Sequence, residues 1–299
     1  MGRAVTAADP PTPTANGRLS DLGPGIVAAS AFALSNVLSK VVMADGADVL
    51  TLSLFRGLVS VALLAVWLRI GEPPRPHRPQ ARLIALGLGV LFAGVVFGLF
   101  ASFAAVPIPV AILSYFVYPL LTGIFGALLG IERIGWRGAL AALAAFLGLA
   151  LMLRAHPQQL ALAGIAFAFG AAACRTAIML VTRARLHDAD PQLTTWYTIL
   201  SSTATLALAA LLTWNWQGPH TALGWSAMMV VSVGTTIAVL ALFVSIKRIG
   251  PFRSALIMYL EPLLSTVLSA PILGEVITPV QAIGGAIMLA ALVAFQLRR

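Results

Sequence analysis

The chain has 299 residues, 60% of them apolar and only 10% charged, with a mean hydropathy of +0.95. Soluble domains carry about 25% charged residues, so a water-soluble fold is excluded. At roughly 20 apolar residues per span, the length leaves room for about ten membrane crossings. A formal net charge of +9 would point to nucleic acid in a soluble protein, but here most basic residues flank apolar runs, where they set topology. The single cysteine, Cys174, excludes an intrachain disulfide framework.

Residues 1–20 are polar and Pro/Thr-rich, with no apolar stretch of their own. They read as a disordered tail and not as a cleaved signal peptide. Ser20 or Asp21 can cap the first helix, and Pro24 suits its first turn. Ten helices are then predicted. The first runs to about Met43 and the second from about Val49 to Arg69. A Pro/Arg loop leads to the third, about Ala81 to Phe103. Pro107 and Pro109 precede the fourth, which reaches about Gly130, and the fifth covers about Trp136 to Leu153. The sixth is about Leu160 to Thr182, the seventh Pro191 to Leu212 and the eighth Ala222 to Ile246. The ninth spans about Pro251 to Leu273 and the tenth Thr278 to Leu297.

Phe100 to Leu149 occurs twice. Shifted by 143 positions without a gap, it lies on Phe243 to Leu292, with Pro119-Leu120-Leu121 on Pro262-Leu263-Leu264 and Glu132 on Glu275. An internal duplication is the better reading of two mid-helix prolines and two helix-end acids in one register. With the amino terminus placed inside, 15 of the 19 Lys and Arg fall on inner segments, among them Arg75, Arg133, Arg183, Arg185, Lys247, Arg253 and Arg299. The outer loops hold Arg154 alone. The positive-inside rule therefore puts both termini in the cytoplasm. Five helices per half is an odd number, so the second half enters the membrane upside down. The expected fold is an all-α membrane protein of ten transmembrane helices in a 5+5 inverted repeat, 21–154 and 155–299, an arrangement that recurs in transporters.

The two stretches YPLLTGIFGALLGIERI and EPLLSTVLSAPILGEVI, in a chain of five plus five helices, resemble the EamA-type family of the drug/metabolite transporter superfamily. The likeness extends over nearly the whole chain after residue 20. The LEPLLS turn looks closest to the amino-acid exporters, including the YddG-like aromatic amino-acid exporters. The resemblance implies export of small metabolites through a cavity lined by helices 1, 3, 4, 6, 8 and 9. It implies a protein of the inner membrane; multidrug or other metabolite export is the alternative.

Candidate solute contacts follow from polar groups at depth, where a charge in lipid must face protein or a cavity. Ser35, Asn36, Ser39 and Lys40 share one stripe of the first helix. Asn36 reads either as a solute contact or as an interhelical bond, and Lys40 either as a solute contact or as a snorkelling anchor. Arg56 reads as an internal structural pair or anchor rather than a solute contact. Glu261 and Arg175 lie at matching depths of roughly 13 and 12 Å from the inner ends of their helices, with opposite charge. They read either as one functional unit at the cavity or as a permanent structural bridge, and depth alone does not fix whether they touch. Pro119 and Pro262 free the carbonyls of Tyr115 and Met258 near the same level, as solute acceptors or merely as the result of packing kinks. Phe32, Phe97, Tyr115, Phe116, Tyr118, Met258, Tyr259 and Thr235 complete an apolar pocket with few polar anchors. Gly94 with Gly98 and Gly126 with Gly130 are GxxxG pairs expected to pack within a monomer, a weak dimer being the other use.

Enzyme chemistry finds little in the sequence. His77, His156, His187 and His220 lie in loops without metal-ligand spacing, and neither a GxSxG elbow nor a P-loop is present. The expected protein is a secondary transporter without metal, cofactor, ATP or nucleic acid, its partners being lipid and a small solute. A membrane-embedded enzyme or scaffold is the rival class.

Overall fold

The computed structural model describes residues 19–71, 74, 76–153, 161–213 and 216–297. Residues 1–18 of the expected tail, with Arg3 and Arg18, together with Arg75, Arg154, His156, Arg298 and Arg299, lie outside the described residues, whereas Leu19 and Ser20 belong to a 3-10 turn. The described chain is helical, in the order α1 (Gly23–Ala44), α2 (Val49–Ile70), α3 (Pro79–Ala105), α4 (Ile108–Tyr115), α5 (Tyr118–Leu128) and α6 (Trp136–Leu153). It continues with α7 (Leu162–Arg185), α8 (Pro191–Thr213), α9 (Ala222–Ile249), α10 (Pro251–Ile257), α11 (Leu260–Leu273) and α12 (Pro279–Leu297). Nine helical segments among the described residues are long and apolar enough to cross a membrane, taking α4 with α5 and α10 with α11 as one segment each. The helix α12 is apolar as well.

Local chemistry explains most boundaries. Asp48 caps α2, accepting from the N–H groups of Leu50 at 2.8 Å and Thr51 at 2.9 Å. Thr221 caps α9 by accepting from Gly224 N–H at 3.1 Å. Pro79, Pro191, Pro251 and Pro279 each open a helix, where their missing N–H costs nothing. The N-cap residue of α1 is neither Ser20 nor Asp21. The chain enters that helix through a 3-10 turn, Leu19–Leu22, with Leu22 at the N-cap.

Two predicted helices are broken. The fourth divides into α4 and α5 around Phe116–Val117, and the ninth into α10 and α11 around Met258–Tyr259. Each break falls just before a proline, Pro119 or Pro262, because the ring clashes with the carbonyl four residues earlier. The breaks are equivalent under the 143-residue shift, which also carries Val49–Ile70, Pro79–Ala105 and Trp136–Leu153 to within a residue of α8, α9 and α12.

Packing exchanges under the same shift. The helix α1 lies against α9 as α7 lies against α3, and α2 meets α9 as α8 meets α3. The pairs α6–α12 and α2–α8 map onto themselves, whereas α5 packs on α10 without a comparable contact between their equivalents α11 and α4. Small residues allow the closest approaches, as expected where no water drives helices together. Gly148 faces the carbonyl of Gly284 and the N–H of Met288. Gly98 faces the carbonyl of Phe167, so Gly94–Gly98 does serve packing inside the chain. Gly130 does not: at φ +66° it ends the α5 segment in a left-handed turn, with Ile131 N–H donating to Gly126 O at 2.9 Å. Large apolar side chains such as Leu128, Leu162 and Leu212 stand exposed around the bundle, on surface suited to lipid.

The loops gather at two ends. At one, called the basic end, His77 meets Asp190 O at 3.2 Å, Arg183 donates to Lys247 O at 3.1 Å and Lys247 to Ala189 O at 3.0 Å. At the opposite end Asp45 accepts from Thr221 N–H at 2.8 Å and Asp48 from Gln217 N–H at 2.8 Å, while Lys40 pairs with Glu275.

Candidate solute site at the helix breaks

The two breaks face one another. Tyr259 donates its hydroxyl to Phe116 O at 3.1 Å, a bond between positions 143 residues apart and so equivalent in the two halves. Ring centroids lie 5.3 Å apart for Tyr115–Phe116 and Tyr115–Tyr118, 5.6 Å for Phe116–Tyr118 and 6.0 Å for Phe116–Tyr259. These rings and Met258 are buried in the main core. Backbone groups loosened by the breaks are mostly claimed. Tyr118 O accepts from Thr122 at 2.7 Å and Thr176 at 3.3 Å. Met258 O, expected to be free, accepts from Glu261 N–H at 3.0 Å, because the chain tightens to a three-residue turn there.

Arg175 is 3% exposed on α7, its guanidinium carbon 5.4 Å from the Phe32 ring centre and 5.8 Å from that of Tyr118. An unpaired charge at a helix centre costs about 2.5–3.5 kcal/mol on insertion scales, and a ring face offsets about 0.5–2 kcal/mol of it. The buried Nε of Arg175, the Tyr118 hydroxyl and the Thr235 hydroxyl have no hydrogen-bond partner among the described residues. Direct contact with Glu261, which matching depth leaves open, is not made among the described residues. Asn36 Nδ2 donates to Glu261 Oε1 at 2.9 Å instead, joining α1 to α11. Equal depth left the rotation of each helix open, and the packing of α1 against α11 turned Glu261 to Asn36.

The other expectations divide. Ser35 turns from the stripe towards α9, donating to Val231 O at 3.4 Å, and Ser39 bonds back to Ser35 O at 2.7 Å. Lys40 reaches Glu275 Oε1 at 3.2 Å, with both side chains about half exposed. Arg56 is half-buried on α2 with no ion pair among the described residues. Phe97 leaves the site altogether: it is 66% exposed and packs edge-on against Phe167 at 6.2 Å. Thr176 was missed, although it holds the Tyr118 carbonyl; its only signal was its place beside Arg175. A groove of about 630 Å³ at the opposite end, lined by Trp216, His220 and Trp225, contains none of the expected solute contacts.

Beyond the spans, three carboxyls are shifted. Hydrogen bonds from Thr221, backbone first, hold Asp45 below the usual carboxylate range. Burial pushes Asp48 up, but bonds from Thr51, Gln217 and Leu50 outweigh it and leave it low. Burial raises Glu132, against the pull of the Phe252 N–H and of Arg183 and Arg253.

Helices apolar all round, exposed apolar flanks and polar groups confined to the core and the two ends define a multi-pass membrane protein. The chain belongs to the EamA-like transporter family, which it matches twice, over residues 24–154 and 162–295. It is therefore a membrane transporter, in a family of transporters and not of enzymes. A solved structure described as "Crystal structure of protein" shares the fold, with a TM-score of 0.80 and 20% identity over 94% of this chain and 98% of its own. No curated protein matches the sequence.

Proposed function

We propose that the chain exports small metabolites by alternating access, with neutral and aromatic amino acids as its solutes. The observation that carries this reading is Arg175: a buried cation close to two rings, with no acidic side chain bound to it among the described residues. A solute carboxylate is the group such a site accepts, since a bidentate charge-assisted pair offsets the cost of burial. The solute ammonium would compete with Asn36 for Glu261, and the aromatic cluster would take an apolar side chain. Contacts made in the loaded state and absent in the empty one are what lets a solute shift a conformational equilibrium. The finer likeness to the YddG-like exporters rests on the LEPLLS turn around Glu261.

The architecture that goes with this function is ten spans in two inverted five-helix repeats, 21–154 and 155–299, forming one membrane domain. The exchange of packing partners and of helix breaks under one shift supports it. The crowding of Arg183, Arg185, Lys247 and Arg253 around the basic end supports a cytoplasmic position for that end, hence for both termini, in an inner membrane. The transporter works as a monomer or weak dimer without ATP.

The test is counterflow of labelled phenylalanine and leucine in proteoliposomes, with parent, Glu261→Gln, Arg175→Gln and the double variant, each checked for folding. The expected result is flux in the parent and loss in both single variants. Flux of sugars, nucleotides or lipophilic cations without amino acids would overturn the solute class. Full recovery in the double variant would mean that the two charges only offset one another.

A further inference from the structure

The 143-residue shift relates four positions at the basic end to four at the opposite end, and they differ in a way that matters. At the basic end Glu132 accepts from Phe252 N–H at 2.8 Å, with Arg183 and Arg253 in coulombic range. Arg183 itself is tied to Lys247 O at 3.1 Å. The equivalents of Glu132 and Arg183 are Glu275 and Lys40, which pair with each other at 3.2 Å across the α1–α11 side. Both ends thus carry one acid and one cation at matched places.

The receptor for the acid is not matched. Glu132 sits against Gly250, whose φ is +87° and where a Cβ would overlap Glu132 Oε1. The equivalent of Gly250 is Pro107, and that of Phe252 is Pro109, which has no N–H. The turns are otherwise the same, with Ser254 N–H donating to Gly250 O at 3.2 Å and Ala111 N–H to Pro107 O at 3.1 Å. The neighbouring N–H, on Ile108, points about 100° round the helix from the position needed. A second bond is also one-sided. Ser245 and Ser254 hydrogen-bond at 2.8 Å beneath Glu132's turn, but their equivalents are Ser102, whose buried hydroxyl has no partner among the described residues, and Ala111. Burial follows the bonds: Pro251, Phe252 and Ser254–Ile257 are buried, whereas in α4 only Val110, Ala111 and Tyr115 are.

We infer that Glu132, docked on Gly250 and Phe252 beside Arg183, is a latch holding the basic end shut, and that Pro107 and Pro109 deny Glu275 and Lys40 an equal latch at the opposite end. The inference rests on the alternating-access reading. The two closed states of a duplicated transporter would be equivalent if the repeats were identical. Here they are unequal by design of two turns, so the bundle rests closed at the basic end and open at the other. Glu275 and Lys40, about half exposed, close the opposite end only weakly.

The test reads conformation, not flux. Full-length protein in nanodiscs, with Cys174→Ala, carries one reporter: Ala255→Cys in α10, fully buried, or Ser265→Cys in α11, part-buried towards the opposite end. Alkylation by a hydrophilic maleimide is timed at each. Glu132→Gln is expected to speed Ala255→Cys at least about tenfold, the counterpart of about 1.4 kcal/mol in the equilibrium, and to slow Ser265→Cys. Pro107→Gly with Pro109→Phe, which restores the missing receptor, should change both rates in the same directions. Arg183→Gln serves in place of Glu132→Gln if that variant does not fold. Unchanged rates, or acceleration at both reporters as in a loosened fold, would overturn the latch. Counterflow measured on the same variants separates the two claims. Flux without any accessibility change removes the latch and leaves the transport reading standing, and reciprocal accessibility without flux does the reverse.

Discussion

Adjacent glycines in α12 give the sharpest test of how the bundle is held. A Cβ added at Gly284 would lie 2.5 Å from Met152 N, 2.7 Å from Gly148 O and 2.9 Å from Met152 Cα, all backbone of α6. Non-bonded carbon contacts settle at about 3.5–4.0 Å, so Gly284→Ala must part α6 and α12 by about 1 Å. Overpacking of this kind costs about 1–3 kcal/mol, against a helix-propensity gain of about 0.5–1 kcal/mol for losing the glycine. Rigid backbone neighbours put the cost in the upper half of that range, about 2–3 kcal/mol, so the net is a destabilisation of about 1–2.5 kcal/mol. Gly285 is the internal control: its Cβ would meet Leu263 Cδ1 at 2.7 Å and Met152 Sδ at 3.8 Å, both ends of flexible side chains that can swing away. In detergent, the apparent Tm of Gly284→Ala, followed by loss of monodisperse protein on heating, should fall by about 2–4 °C per kcal/mol. Gly285→Ala should melt near the parent. Equal melting of Gly284→Ala and parent, or an equal fall for both variants, would refute the claim that backbone contact between α6 and α12 sets their spacing.

Three further outcomes are expected. Tyr259→Phe removes the bond to Phe116 O without opening a cavity and leaves a buried carbonyl unpaired, at a cost of about 1–3 kcal/mol; thermal melting should show it, and an unchanged Tm would mean the two breaks are held by ring packing alone. Phe97→Ala should leave transport at the parent rate because the ring faces outward at 66% exposure, whereas Tyr118→Ala, beside Arg175, should abolish it in the same counterflow assay. Asp48 sits below its ordinary value of 3.8, so its contribution to stability is complete above that pH and is lost as pH falls through the lowered folded value; Asp48→Ala should flatten that acid limb of the melting curve and lower Tm at pH 7.

Much of this molecule is written along its length. Lipid forces every spanning segment to satisfy its own backbone and to be apolar for about 20 residues, so the class, the helix limits and the basic loops follow from composition with no knowledge of contacts. Prolines at the helix starts and Asp48 or Thr221 at caps act through bonds a few residues long. The duplication, too, is a property of order: Pro119 and Pro262, Glu132 and Glu275 recur in one register. Depth in the membrane is likewise linear in residue number, which is why Arg175 and Glu261 were placed at one level. Rotation about a helix axis is not linear in anything the sequence shows when the helix is apolar all round, since there is no polar face to orient it. Only packing decided that Phe97 turns out, that Glu261 takes Asn36 rather than Arg175, and that Tyr259 reaches Phe116 across the two breaks. The inequality of the two ends needed both kinds of information. Pro107 and Pro109 are plain in the chain, but their effect depends on Glu132 finding Gly250 and Phe252, a contact made across more than 100 residues by the close packing of α5 on α10.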